Sequence, residues 1–225
     1  MSKLSEETLN YFKEIPSSFY TFGIPKAHHD SHLYNFANLY TEVNVEYNDA
    51  FWMKLKDTTE KFLTLDTTKC PRYLFLCGFP GSGKSHYAVG LYRAMLQKRG
   101  LGSGGGGVFF TSYMNMAREI IAGFQDDIPL RVSLDGYLAD RWLFLDDFTS
   151  SDRIFKQDSM EFQLFRDIII NRWDSEKTLI TSSNLESDIL MKKLNEMFGD
   201  YLVSRLSDSI ILQFPDDDLR KKKNE

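Results

Sequence analysis

A three-layer α/β sandwich is the fold that the sequence predicts, on three observations. Five short apolar runs alternate with helix-length segments from residue 72 onward, the signature of parallel βαβ units. The first run passes through a glycine-rich turn straight into a helix. Hydrophobic residues make up 42% of the chain, enough to cover a sheet on both faces. With 225 residues the chain suits one domain and leaves little room for a second.

Each element has its own signal. Residues 1–15 set Leu4, Leu9, Phe12 and Ile15 among charges, a short amphipathic helix. Pro16 and the turn Gly23-Ile24-Pro25 interrupt regular structure. Helical spacing returns from about Tyr47 to Leu65, with Phe51, Leu55, Phe62 and Leu65, and Cys70-Pro71 closes the opening section. The first strand is expected at Arg72–Cys77 and its helix at Lys84–Arg99. Val108–Thr111, Trp142–Leu145, Thr178–Thr181 and Ser209–Phe214 supply four more strands. Between them lie helices at Tyr113–Phe124, Ser159–Trp173 and Asp188–Leu206. Gly102–Gly107 cannot pack a side chain and reads as a loop, native or a linker standing in for one. The chain thus divides into a lead-in over 1–46, a core over 47–218 and a basic tail over 219–225.

Charge and cysteine usage bound the function. Twenty-seven Lys and Arg against 32 Asp and Glu give a net charge of −5, which excludes a uniformly basic nucleic-acid coat but not a local basic patch. Cys70 and Cys77 are the only cysteines, too few for a disulfide framework or a cysteine-rich zinc site. The N-terminus lacks the apolar stretch of a signal peptide, and no apolar run approaches a membrane span. These features point to a soluble, cytoplasmic protein without a membrane partner.

The turn after the first strand carries chemistry. Gly78-Phe79-Pro80-Gly81-Ser82-Gly83-Lys84-Ser85 fits the phosphate-binding pattern G-x-x-x-x-G-K-S/T (the Walker A motif) in full, between a strand and a helix as the pattern requires. Glycines let backbone N–H groups converge on phosphate oxygens, and the helix N-terminus adds a favourable dipole. Lys84 is placed for the β- and γ-phosphates and the Ser85 hydroxyl for Mg²⁺. The third strand ends in Asp146-Asp147. Alone, such a pair reads equally as a solvated acidic turn; beside a phosphate loop, Asp146 reads as a Mg²⁺ residue and Asp147 as the group that polarises an attacking water. Asn184, at the end of the fourth strand, is placed to orient that water or to cap the next helix. Arg205 stands in an apolar helical context, where a snorkelling surface role is the alternative.

Together these motifs resemble the initiator and helicase-loader branch of the AAA+ ATPases, the DnaC/DnaI-type loaders and the related IstB transposition ATPases. Gly83-Lys84-Ser85-His86 resembles their G-K-S/T-H, Leu143–Asp147 their second acidic motif, Ile180–Asn184 their sensor strand and Val203–Leu206 their arginine-finger segment. Gly23-Ile24-Pro25 with Leu33–Phe36 resembles their lead-in, and Phe214–Arg220, with Asp218 and Arg220, their C-terminal end. The resemblance covers about residues 20–220. It implies a five-stranded parallel sheet in the order 5-1-4-3-2, no C-terminal helical lid domain, and ATP with Mg²⁺ bound between subunits. Asn184 becomes the sensor, and Arg205 the finger reaching a neighbour's γ-phosphate, so that hydrolysis is slow and depends on assembly. Asp147 stands where many members carry Glu, and the region before Gly23 is shorter than in most members. The implied role is an ATPase that forms a homo-oligomer on ATP, engages single-stranded DNA and a replicative helicase, and serves DNA replication. An IstB-like, DNA-binding regulator of a transposase is the alternative. A small-molecule P-loop kinase fits less well, because no Arg-rich lid is evident. A GTPase fits less still, for want of an Asn-Lys-x-Asp motif.

Three further features are weighed here. His28, His29 and His32 with Asp30 lack a fourth spaced ligand and read as surface groups of the lead-in rather than a metal site. Phe19, Tyr20, Phe22, Tyr34, Phe36 and Tyr40 read as residues packing a helix onto the core before they read as base-stacking groups. Arg118, in the second helix, and Arg131, in the loop expected after it, are by resemblance the residues offered to DNA in a central channel, against ordinary solvated charges.

Overall fold

In the computed structural model, residues 6–17, 24–42, 49–100, 107–125 and 130–222 are described, apart from the side chains at 41–42, 124–125, 130–134, 200–203 and 221–222. Leu4, Gly23, Tyr47, Gly102–Gly106, Phe19, Tyr20 and Phe22 therefore lie outside the described residues, as does the tail from Lys223. The chain runs α1 (Glu6–Glu14), α2 (Leu33–Glu42), α3 (Asp49–Leu63), β1 (Tyr73–Cys77), α4 (Lys84–Arg99), β2 (Val108–Ser112), α5 (Tyr113–Gln125) and α6 (Leu130–Ala139). It continues with β3 (Trp142–Asp146), α7 (Met160–Asp174), β4 (Thr178–Ser183), α8 (Ser187–Leu206), β5 (Ser209–Gln213) and α9 (Leu219–Lys222). No described helix is long and apolar enough to cross a membrane.

All strand pairs are parallel and the order is β2-β3-β4-β1-β5, the expected order read from the other edge. Every residue of β1, β3 and β4 is buried. Strands covered on both faces need no polar alternation, which is why Tyr73–Cys77 and Trp142–Leu145 appear in the sequence as continuous apolar runs. Along β1 the faces alternate. Leu74 and Leu76 join a core with Phe36, Tyr87, Leu91 and Phe214, whereas Tyr73, Phe75 and Cys77 join one with Leu145, Phe148, Phe165 and Ile168. Beyond β5 only α9 is found among the described residues, so no helical lid follows the sheet there.

Helices α2, α6 and the short α9 fall in segments given no helix bounds from the sequence, and one expectation is corrected. α2 lies in the lead-in and seats its buried Leu33, Phe36, Ala37 and Tyr40 in the same core as α4. Phe36 and Tyr40 are thus packing groups, with ring centroids 4.8 Å apart in an edge-on pair. α6 fills the stretch before β3, so Arg131 falls in a helix and not in a loop. The chain bends inside α8 at Gly199, whose φ of 61° suits glycine.

Buried arginines tie the layers together. Arg172 of α7 donates to the carbonyls of Thr178, Asp140 and Arg141 at 2.9–3.0 Å, pinning the entry to β4 against the entry to β3. Arg93 of α4 donates to the carbonyls of Ser31, at 3.0 Å, and His29, holding the lead-in on the core. Gly90, one helical turn earlier, makes this approach possible: a Cβ there would lie 2.8 Å from the Leu33 nitrogen.

Candidate functional site

The carboxyl ends of β1, β3 and β4 meet at one edge of the sheet, where a parallel α/β fold presents its ligand crevice. Register sets Leu76 beside Ser182 and Cys77 beside Ser183, so the chain leaving β1 as the glycine-rich loop faces the end of β4. Asp146 closes β3 beside them.

The loop adopts a conformation that needs its glycines. Gly78, Gly81 and Gly83 have φ of 139°, 87° and 93°, and Gly83 forms the N-cap of α4. Its own neighbours hold it. Tyr40 of α2 donates its hydroxyl to the Ser82 carbonyl, and the Leu219 N–H of α9 donates to the Gly81 carbonyl at 3.1 Å. The Lys84 ammonium turns back into this loop and donates to the carbonyls of Gly78 and Phe79, both at 2.7 Å, with the Ser82 hydroxyl at 3.4 Å. Burial pushes the Lys84 ammonium down to about 8, with Asp146 and Asp147 opposing the shift.

The acidic side of the crevice is a connected network. Ser85 donates its hydroxyl to Asp146 Oδ1 at 3.0 Å, and Ser182 donates to the same oxygen at 2.5 Å. With its proton committed to a carboxylate, the Ser85 oxygen keeps its lone pairs for a hard cation, so hydroxyl and carboxylate together fit Mg²⁺. Asp147 follows with φ of 54°, an uncommon left-handed conformation for a non-glycine residue. Its N–H donates to Ser182 Oγ at 2.7 Å, and its Oδ1 accepts from the Asn184 side-chain amide at 2.8 Å. Burial and the neighbouring Asp146 raise the Asp147 carboxyl, while Lys84 pulls it down.

The structure brings Pro80, Gly81, Gly83, Lys84, Ser85, His86, Asp146, Asp147 and Asn184 to one cleft of about 450 Å³, a size suited to a small-molecule ligand. Gly78, Phe79 and Ser82 support it through Lys84. Five contributors were missed by sequence reasoning: His28, Leu39, Ser182, Leu219 and Arg220 also line the cleft. A second recess of about 610 Å³ shares His28, Leu39, His86, Leu219 and Arg220 with it and adds Asn35 and Asn38 of α2. The histidines of the lead-in are half-buried, and only His28 of the three lines these recesses. His32 bonds Ser17 at 2.7 Å, His29 bonds the Ile24 carbonyl at 3.1 Å, and burial lowers His28, with Asp146 opposing. No three His, Cys, Asp or Glu among the described residues form a metal-holding group.

Three predicted basic residues lie elsewhere. Arg205, near the end of α8, faces Asp174 at 3.8 Å, beside the amino-terminal ends of the strands and away from the loop. Arg118 is exposed on α5, and the backbone of Arg131 lies in the first turn of α6.

No protein-family model matches the sequence, and no curated protein sequence does. Solved structures do match. The DnaC helicase loader aligns with a TM-score of 0.60 at 21% identity, over 85% of this chain and 100% of that one. DnaI aligns at 0.54 and 15% identity, over 79% of this chain and 88% of that one. The replication initiator DnaA, bound to AMPPCP and single-stranded DNA, aligns at 0.54 and 22% identity, over 82% of this chain; the match spans about half of that chain, 51%. At such identities the likeness is one of fold: the chain shares the fold of the DnaC, DnaI and DnaA structures with which it aligns.

Proposed function

We propose that the chain is an assembly-dependent AAA+ ATPase of the helicase-loader type, acting on single-stranded DNA and a replicative helicase in DNA replication. The observation that carries the nucleotide reading is the joint network Ser85–Asp146–Ser182 and Asn184–Asp147 at the mouth of the glycine loop. The likeness to a helicase loader and to a DNA-bound initiator supports the partner classes.

In this reading the loop amides and Lys84 bind the β- and γ-phosphates of ATP, and the recess beneath α2 takes the base. Ser85 and Asp146 hold Mg²⁺, which neutralises phosphate charge when bound. Asp147 accepts a hydrogen bond from the attacking water, and Asn184 fixes the carboxylate that does so. Arg205 lies at the far end of the sheet from its own loop, so only a neighbouring copy's phosphate is open to it, after it leaves Asp174. Arg118 and Arg131 are the proposed DNA contacts.

Light scattering with ATP and Mg²⁺, with and without single-stranded DNA, tests the reading. Growth from monomer to a large assembly is expected, with Arg205→Ala retaining ATP binding and losing hydrolysis. A monomer under every condition that still hydrolyses ATP would overturn assembly dependence.

A further inference from the structure

We propose that Ser182 is a positioning residue that sets how tightly the site takes Mg²⁺ with nucleotide, by holding Asp146 and Asp147 in register through one hydroxyl. The inference rests on the nucleotide reading above. Ser182 is 2% exposed, on a strand paired on both sides, so its side chain is anchored by the sheet rather than by a loop. Its hydroxyl does two things at once: it donates to Asp146 Oδ1 at 2.5 Å and accepts the Asp147 N–H at 2.7 Å. Its carbonyl accepts a third bond, from the Phe148 N–H at 3.1 Å. The chain leaving β3 is therefore fastened to this one residue at three consecutive positions, across the left-handed turn at Asp147.

The chemistry follows from that fastening. Asp146 Oδ1 accepts from Ser85 on one side and Ser182 on the other, so the carboxylate plane is fixed before any cation arrives. Without the Ser182 hydroxyl, Asp146 keeps only Ser85, itself a proposed cation ligand, and is free to rotate. The Asp147 N–H loses its acceptor in the same change, and the left-handed turn loses its restraint. Neither neighbour substitutes for this hydroxyl: Thr181 is committed to the Leu145 carbonyl at 2.7 Å, and Ser183 pairs with Thr149 at 3.1 Å.

The experiment is a Mg²⁺ titration of a fluorescent ATP analogue bound to the full chain, for wild type, Ser182→Ala and Ser182→Thr. Ser182→Ala is expected to need about tenfold more Mg²⁺ for half-saturation, the usual cost of losing an outer-shell partner, and to lose more analogue affinity with Mg²⁺ than without it. Ser182→Thr, which keeps the hydroxyl, should restore the wild-type curve. An unchanged Mg²⁺ curve in Ser182→Ala overturns the proposal and leaves the nucleotide reading standing. Equal weakening with and without Mg²⁺ also overturns it, because the serine would then be a packing residue. A wild-type chain that binds no analogue overturns the nucleotide reading, and this proposal with it.

Discussion

Replacing Arg93 by Met should unseat the lead-in from the nucleotide cleft, and the structure gives the size of the effect. Arg93 is 1% exposed, and its guanidinium reaches the carbonyls of Ser31, at 3.0 Å, and His29. Met keeps the aliphatic stem and removes these bonds, along with a longer contact to His32 Nε2 at 3.5 Å. Hydrogen bonds to a charged group contribute about 1.5–3 kcal/mol each, and the cost of burying the guanidinium offsets part of the pair. Burial indeed lowers the Arg93 guanidinium below its ordinary range. The net loss is about 2–3 kcal/mol, which for a domain of this size lowers Tm by roughly 5–10 °C. Binding should suffer too, because His28 and Leu39, which line the cleft, sit on either side of the held segment. Thermal unfolding by circular dichroism gives the first quantity and fluorescent-ATP titration the second. A Tm within one degree of wild type, with unchanged ATP affinity, would refute the view that this arginine fastens the lead-in.

Two further outcomes follow from the site. Below about pH 8 Lys84 is charged whether folded or not. Between about 8 and 10.5 the unfolded chain holds a proton that the folded chain has released, so nucleotide-free stability should rise with pH across that window, and the rise should vanish in Lys84→Met. Phosphate favours the ammonium, so calorimetry at pH 8.5 in buffers of different ionisation heat should record uptake of about half a proton or more on ATP binding. Gly81→Ala forces an alanine to φ of 87° and drives its methyl into the Asp218 carboxylate and to 2.9 Å from Arg220 Nη2. ATP affinity should fall about tenfold, on the roughly 1–2 kcal/mol that a left-handed alanine costs, with the fold retained by circular dichroism.

What was legible in the sequence was what local chemistry dictates. Buried parallel strands must be apolar on both faces, so Tyr73–Cys77 and Trp142–Asp146 announce themselves. A phosphate loop must place its glycines where the backbone turns, so Gly78, Gly81 and Gly83 are fixed by spacing. The packing role of Phe36 and Tyr40 was legible too, and the spacing that bounds α2 lies beside them: Leu33, Phe36, Ala37 and Tyr40 fall at i, i+3, i+4 and i+7, and all are buried. α6 had a weaker signal, because Asp135 and Gly136 interrupt it. The missed site residues share a different cause. His28, Ser182 and Arg220 reach the cleft only through packing of distant segments. Within Ser182-Ser183-Asn184, three adjacent polar residues, strand geometry alone decides that the first meets Asp146, the second Thr149 and the third Asp147.

The three cations assigned to phosphate chemistry or lining the cleft all hold partners within the chain, and this bears on how the site works. Lys84 donates to two loop carbonyls, Arg220 forks onto both oxygens of Asp218 at 3.0 and 3.2 Å, and Arg205 faces Asp174. A triphosphate that engages Lys84 or Arg220 therefore exchanges one set of contacts for another, and only the difference contributes to affinity. The exchanges are unequal. Carbonyls of the loop are neutral, so Lys84 gains charge neutralisation on meeting phosphate, whereas Arg220 gives up a bidentate carboxylate for whatever it finds. Arg205 is placed differently again: its side chain is 17% exposed and faces the more exposed Asp174 at 3.8 Å, so reaching a neighbour means leaving a carboxylate.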